Sequence, residues 1–379
     1  MMATMPRPRM LVLSFSPIAA DARVLKQVRY FVEHYDVVTC GYGPAPEGVV
    51  RHLQLPDGVP NKLDGRLITA RAYRAVYWRQ AAVSAARELL RGVEADVVLA
   101  NDLDALPLAL ALRPRLGVHS DLHEYFPRLH EENEKWRRRI GPYMAWLCRR
   151  YLPRAASVST VSGGLAREYE HQFGVPVQVV TNAAPYADLE PTPVADPVRL
   201  VHSGACLRSR NIHLMVEAMA PLAGRYALDL YLTPNHPDYL AELRSRAAEL
   251  PNVVVHDPVP YSRLIRTLND YDLGVFVLPP VSFSYAHALP NKVYDFAQAR
   301  LGIVVGPSPE MVDLVETARN GVVTAGFTAE DLVAALEALT PAHVADLKRA
   351  SHTRAHELSA EAEVEKWGRA VARILEPVA

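Results

Sequence analysis

Two cations and a glycine in the second half of the chain have the chemistry to hold a phosphate. Gly204 lies just past an apolar run, Val198–His202, and a residue without a side chain lets the backbone approach a phosphate closely. Arg210, at the start of the next helical pattern, can offer a two-pronged fork to phosphate oxygens, and Lys292 adds a second, more mobile charge. An arginine near a helix N-terminus opposes the macrodipole, which points to an anion nearby. Such cations matter most where negative charge grows as a bond to phosphate breaks. The plainer readings are a surface arginine in a first helical turn and a solvated lysine. Asp295 is an acceptor-only carboxylate, suited to two adjacent hydroxyls. In the first half, His123 is flanked by Asp121 and Glu124 at a strand end and can give or take a proton near neutral pH. Arg23 and Lys26 open the first helical pattern and carry the charge for a second phosphate.

Other chemistries find little support. There is no GxxxxGK[ST], HExxH or GxSxG, and the histidines lack metal-ligand spacing, so no metal site is expected. Gly41-Tyr42-Gly43 reads as a plain loop. Asp102-Leu103-Asp104 ends a strand-like run and reads as a cap for the helical pattern after it. The segment Lys135–Arg154 holds seven Lys or Arg and no acid, interleaved with aromatics. It is either a helix whose arginines snorkel around an aromatic inner face, or a patch for weak association with a membrane surface or anionic ligand.

The elements that must position these residues alternate along the chain. Strand-like runs at Arg9–Phe15, Asp36–Cys40, Asp96–Ala100, Gly117–Asp121 and Ser157–Val161 are each followed by a segment that can be helical. Asn182–Pro197 is proline-rich and aperiodic and reads as a linker. The alternation restarts at Val198–His202, then a helix near Arg210–Leu222, Leu228–Leu232, Val253–His256, Asp272–Leu278 and Leu301–Val305; the tail from Pro341 is helical. The expected fold is α/β, two Rossmann-like doubly wound domains facing a cleft. The N-terminal domain would be 1–185, the linker 186–197, the second domain 198–360, and a last helix 361–379 would pack back on the first. At 379 residues two domains are the default. A net charge of −1 gives no reason to expect nucleic acid. Three scattered cysteines, and no signal or spanning segment read at the N-terminus, fit a cytoplasmic protein, at most peripheral to the inner membrane face.

Four groups of residues, read in order, resemble the GT4-like glycosyltransferases of bacterial polysaccharide and natural-product pathways. They are Asp21-Ala-Arg-Val-Leu-Lys26; Asn101–Pro107 with Asp121-Leu-His-Glu-Tyr-Phe-Pro127; Val161–Leu165 with Thr181-Asn182-Ala183; and Ser203-Gly204-Ala205 with Arg210-Asn211, Leu289–Asp295 and Ser308–Glu316. The resemblance spans essentially the whole chain and implies a GT-B fold and a hexosyltransferase-type enzyme. A nucleotide sugar, with uracil as base by analogy, would donate to a small-molecule or lipid-linked acceptor with retention and without a metal cofactor. It implies catalytic roles for His123, Arg210 and Lys292, and donor contacts from Gly204, Asn291, Asp295 and His287. Arg23, Lys26, Asp121 and Glu124 would lie on the acceptor side. The family's Glu-x7-Glu pattern reads His287…Asp295 here, which puts the donor sugar's identity in doubt. An epimerase-like enzyme on the same fold and a non-catalytic nucleotide-sugar binding protein are the alternatives.

Overall fold

A computed structural model describes residues 7–59 and 62–375. The described chain divides into two compact units: one runs to Thr181 and resumes at Val364, the other is Asn182–Glu363.

The first unit is built on a parallel seven-stranded sheet. Its strands are β1 (Arg9–Pro17), β2 (Asp36–Tyr42), β3 (Arg51–Gln54), β4 (Val97–Asn101), β5 (Gly117–Leu122), β6 (Ser157–Thr160) and β7 (Gln178–Val179), in the order β3-β2-β1-β4-β5-β6-β7. Met10–Leu13 and Val97–Ala100 are wholly buried, which is why these strands read as continuous apolar runs instead of alternating ones. Helix Ala22–Phe31 lays Val24, Val28 and Phe31 on this sheet, in one core cluster with Trp367 and Val371 of the last helix, Ala360–Leu375. Asp21 caps the first helix by accepting from Arg23 N and Val24 N.

The second unit carries β8 (Val198–Ala205), β9 (Tyr226–Thr233), β10 (Val253–His256), β11 (Leu273–Phe276), β12 (Gly302–Val305) and β13 (Gly321–Val323), all parallel, in the order β10-β9-β8-β11-β12-β13. In both sheets the order reverses between the first strand and its later neighbour, at β1/β4 and at β8/β11. Ligands of doubly wound sheets bind at the carboxyl ends of such strands.

Several local expectations need correction. β3 lies between Asp36–Cys40 and Asp96–Ala100, where no strand-like run was expected; residues 60 and 61 lie outside the described chain. The helix expected near Arg210–Leu222 is a 3₁₀ turn, Arg208–Arg210, followed by a short helix, His213–Glu217. The proline-rich segment 186–197 is anchored within the second unit. Arg300 donates to Leu189 O and Ala187 O, and the main-chain N–H of Ala195 donates to Asp272. The basic run is split by Gly141-Pro142 into helices Glu134–Arg139 and Gly141–Tyr151. Tyr143, Leu147 and Tyr151 are buried while Arg137, Arg138, Arg149 and Arg150 are exposed, as snorkelling requires. No helix among the described residues is long and apolar enough to cross a membrane.

Candidate active site

In the second unit the carboxyl end of β8 brings the two predicted cations together. Gly204 has φ 127°, a region that favours glycine, and a Cβ built there would lie 3.2 Å from Lys292 Nζ and 3.8 Å from Arg210 Nη1. Lys292 is the second residue of helix Asn291–Gln298 and is only 7% exposed. Its Nζ lies 3.3 Å from His202 Nε2 and 4.0 Å from the Phe276 ring centroid. Burial, then the charge of Arg210, holds this ammonium well below the usual lysine range, with Asp295 opposing. Arg210 donates to Ala205 O at 3.4 Å, and its Nε is buried with no hydrogen-bond partner among the described residues. It stands in the 3₁₀ turn and not in the first turn of an α-helix, so the macrodipole argument for it falls away.

The neighbouring loops carry the remaining donor-side residues. Asp295 is buried and accepts from the Tyr261 hydroxyl at 3.2 Å; Asn291 is the exposed first residue of the same helix. His287 follows a short helix, Phe283–Ala286, and its Nδ1 lies 3.6 Å from Glu310 Oε1. Glu310 comes from the first turn of helix Pro309–Ala318, after β12, so a carboxylate from another element stands beside His287. Ser209 and Tyr285 share a hydrogen bond of 3.0 Å, tying the loops after β8 and β11. Ser284 Oγ and Ser308 Oγ, like Arg210 Nε, are buried without a hydrogen-bond partner.

In the first unit the centre is Asp121, wholly buried at the end of β5. Arg23 grips both its oxygens at 2.7 Å, Gln27 donates to Oδ2 at 2.7 Å, Ser159 to Oδ1 at 2.5 Å and Trp367 Nε1 to Oδ1 at 3.2 Å. Burial would raise this carboxyl, but Arg23 and then His123 hold it well below the usual range. Arg23 is 3% exposed and its guanidinium stacks on Trp367 at 4.6 Å. Expected on the acceptor side, its side chain neutralises a buried carboxylate. Asp121 likewise serves the interior.

His123 sits between carboxylates. Its Nε2 is 3.3 Å from Asp121 Oδ2, its Nδ1 is 3.3 Å from Asp102 Oδ2, and its main-chain N–H donates to Asp102 Oδ1 at 3.0 Å. Burial alone would lower its pKa; Asp102 and Asp121 outweigh it and hold the imidazole above its ordinary value. Asp102 thus grips His123 and does not cap a helix, for the next helix begins after Ala105 with no side-chain cap. Asp104 is pushed up to about 7 by burial and by Asp102. Glu124 contributes its carbonyl, which accepts from Tyr169; its side chain is exposed. Lys26 is half-buried on the first helix. No cluster of three or more His, Cys, Asp or Glu that could hold a metal stands among the described residues.

Sequence reasoning missed His119, Ser159, Trp367, Gln27, His202 and Glu310. His119 is buried, with Nδ1 2.7 Å from Ser157 Oγ and Nε2 2.9 Å from Ser159 Oγ, and burial pulls it down to about 4. Since Ser159 gives its proton to a carboxylate, it accepts from His119 Nε2, and neutral His119 in turn accepts from Ser157.

Two doubly wound parallel-sheet units, each with charged residues at its strand-order reversal, make up the two-domain GT-B fold. Residues 20–185 match the family model Glycosyltransferase Family 4. Solved structures share the fold at low identity. Sucrose-phosphate synthase from Thermosynechococcus elongatus superposes with a TM-score of 0.74 at 13% identity, over 97% of this chain and 99% of that one. Anabaena HepE in complex with UDP-glucose gives 0.71 at 13%, over 97% and 100%. An Escherichia coli trehalose-6-phosphate structure bound with UDP-2-fluoro glucose gives 0.68 at 10%, over 98% and 99%. No curated protein matches the sequence.

Proposed function

We propose that the chain moves a hexose from a nucleotide-sugar donor, with UDP as carrier, to a hydroxyl acceptor with retention of anomeric configuration. The observation that carries this reading is the convergence of Arg210 and Lys292 on the bare face of Gly204. Two cations side by side in a buried setting repel each other, and a diphosphate between them removes that cost. Buried polar atoms without partners, Arg210 Nε, Ser284 Oγ and Ser308 Oγ, follow the adjacent strands β8, β11 and β12, where a polar ligand would satisfy them. The structures of HepE with UDP-glucose and of the trehalose-6-phosphate protein with a UDP-sugar analogue lend the base.

In the proposed step the anomeric carbon–oxygen bond to the phosphate breaks while the acceptor oxygen bonds the same face. The acceptor proton passes to the leaving phosphate oxygen, whose charge Arg210 and Lys292 meet. Asp295 binds ribose hydroxyls, and His287 with Glu310 addresses the sugar. The carboxylates beside His123 favour its charged form, so it is read as a source of positive charge and not as a base. The acceptor is a small or lipid-linked alcohol, and no metal is required: activity should survive chelation, and its loss with EDTA would remove that part.

Thermal-shift binding of UDP, GDP, dTDP and ADP tests the donor site, with Arg210→Ala as control. Ligand at about 100 times its dissociation constant stabilises by roughly 2.7 kcal/mol. A shift with UDP that the variant abolishes supports the reading. No shift with any of the four would sink it, and a product of inverted configuration would end the retaining mechanism.

A further inference from the structure

The mobile cation at this site has an internal support that the sequence did not disclose. His202 lies on β8, two residues before Gly204, and is wholly buried. Its Nδ1 is 2.9 Å from the Val275 carbonyl, on the neighbouring strand β11. A carbonyl only accepts, so Nδ1 carries the proton. The neutral ring therefore presents a lone pair at Nε2, and that atom faces Lys292 Nζ at 3.3 Å. A charged ring would set an N–H against an ammonium. Burial, then the Lys292 charge, keeps His202 well below the ordinary histidine value and so in its accepting form. The ring also stacks near Phe276, at 5.5 Å and 29°, over which Lys292 Nζ sits.

We propose that His202 is a positioning residue: its Nε2 holds Lys292 Nζ in the place beside Gly204 where the diphosphate of the donor is gripped. A lysine head on a four-carbon stem has many rotamers, and fixing one in advance spares that entropy on binding. Lys292 gives one of its three N–H groups to His202, keeps its place over Phe276, and has donors left for phosphate oxygens. The inference rests on the donor-site reading above and deepens it.

The test is a double-mutant cycle read by calorimetric titration. The wild type is titrated with UDP, GDP, dTDP and ADP, and the variants with whichever binds best. His202→Leu is expected to weaken binding about tenfold, on the scale of one net hydrogen bond. His202→Gln, which restores an accepting oxygen, is expected to recover most of the loss. In a Lys292→Met background His202→Leu should add nothing further. A purely structural histidine would instead lower the melting temperature and weaken binding equally with and without Lys292. That result, or unchanged affinity in His202→Leu, overturns the inference and leaves the donor site standing. Failure of all four diphosphates to bind the wild type overturns the donor reading and this inference with it. Should His202→Leu not fold, His202→Asn against His202→Gln decides the matter, since asparagine withdraws the acceptor by one methylene; equal affinities would overturn the proposal.

Discussion

Asp102 holds His123 at two points, accepting its main-chain N–H at 3.0 Å through Oδ1 and standing 3.3 Å from Nδ1 through Oδ2. To do so Asp102 adopts φ 68°, in the left-handed region where aspartate is tolerated better than most residues. Such a conformation costs of order 1 kcal/mol and persists where surrounding contacts over-determine it. The β4 end thus fixes the loop after β5, and the imidazole stands between two carboxylates.

Replacing Asp102 with Asn should lower the pKa of His123, because one of the two charges that outweigh its burial is lost. For a group whose folded pKa is raised, the stability gained is full below the unfolded value, about 6.5. It is lost as pH rises through the folded value. The variant should therefore show less loss of stability than the wild type between mildly acidic and mildly alkaline pH. Following the His123 ring proton by NMR checks the shift; an unmoved titration would show that Asp102 matters only through its main-chain bond.

Arg23→Met should destabilise the first domain by about 3–5 kcal/mol, since it strands the buried Asp121 carboxylate. Arg23→Lys should recover only part, because one ammonium cannot reproduce the two-pronged grip. Asp121 is depressed, so its contribution is present above the unfolded carboxyl value of about 3.9 and fades as pH falls through the folded one. Urea unfolding monitored by tryptophan fluorescence at pH 7 and at about pH 2–3, below the unfolded carboxyl value, measures both effects. A loss under about 1 kcal/mol would mean that Gln27, Ser159 and Trp367 suffice.

The architecture was legible where burial on both faces forces unbroken apolar runs, as in Met10–Leu13 and Ile303–Val305. It was not legible at the sheet edges: Arg51–Gln54 and Gln178–Val179 are short and polar, and nothing local marks them as strands. Pro-rich residues 186–197 announce the break in pattern. Their attachment depends on Arg300, more than a hundred residues away, which no local signal carries. At the site, residue type singled out Arg210, Lys292 and Gly204, which the fold brings together. Arg23 and Asp121 were named without their pairing, because a cation and an anion 98 positions apart reveal it only once β1 and β5 are placed. His202 and Trp367 were silent for the same reason: each looks like an ordinary strand or helix residue until its partner is known.

Lys348→Met should destabilise the second domain by about 3–5 kcal/mol. Lys348 Nζ donates to Asp272 Oδ1 and Tyr271 O, each at 2.8 Å, and to Thr192 Oγ1 at 3.0 Å; both charged side chains are 2% exposed. Asp272 in turn accepts from Arg199 N and Ala195 N. The bond to Thr192 adds a second outcome: proteolysis near residues 186–197 should quicken. Adding Asp272→Asn should return part of the stability, because the orphaned charge is removed while an acceptor remains. Calorimetry with timed proteolysis reads both; an unchanged cleavage rate would mean that the segment's other bonds, to Arg300 and Asp272 among them, secure it without Lys348.

Gly204→Ala separates backbone strain from occupancy of the diphosphate position. The new methyl would lie 3.2 Å from Lys292 Nζ and 3.6 Å from its Cε, a flexible tip that can move aside, so folding should survive. With φ at 127°, the backbone strain should cost on the order of 1–3 kcal/mol. Gly224→Ala is the matched control: φ is 85°, and nothing stands within 4 Å of the added carbon. Both variants should lose comparable stability, but only Gly204→Ala should weaken UDP binding, by more than about tenfold, because it puts carbon where phosphate oxygens would approach the cations. Melting temperatures with and without UDP measure the two effects on the same samples. Equal UDP affinity in the two variants would show that the face of Gly204 is not where the diphosphate lies, and Arg210 and Lys292 would then need another explanation.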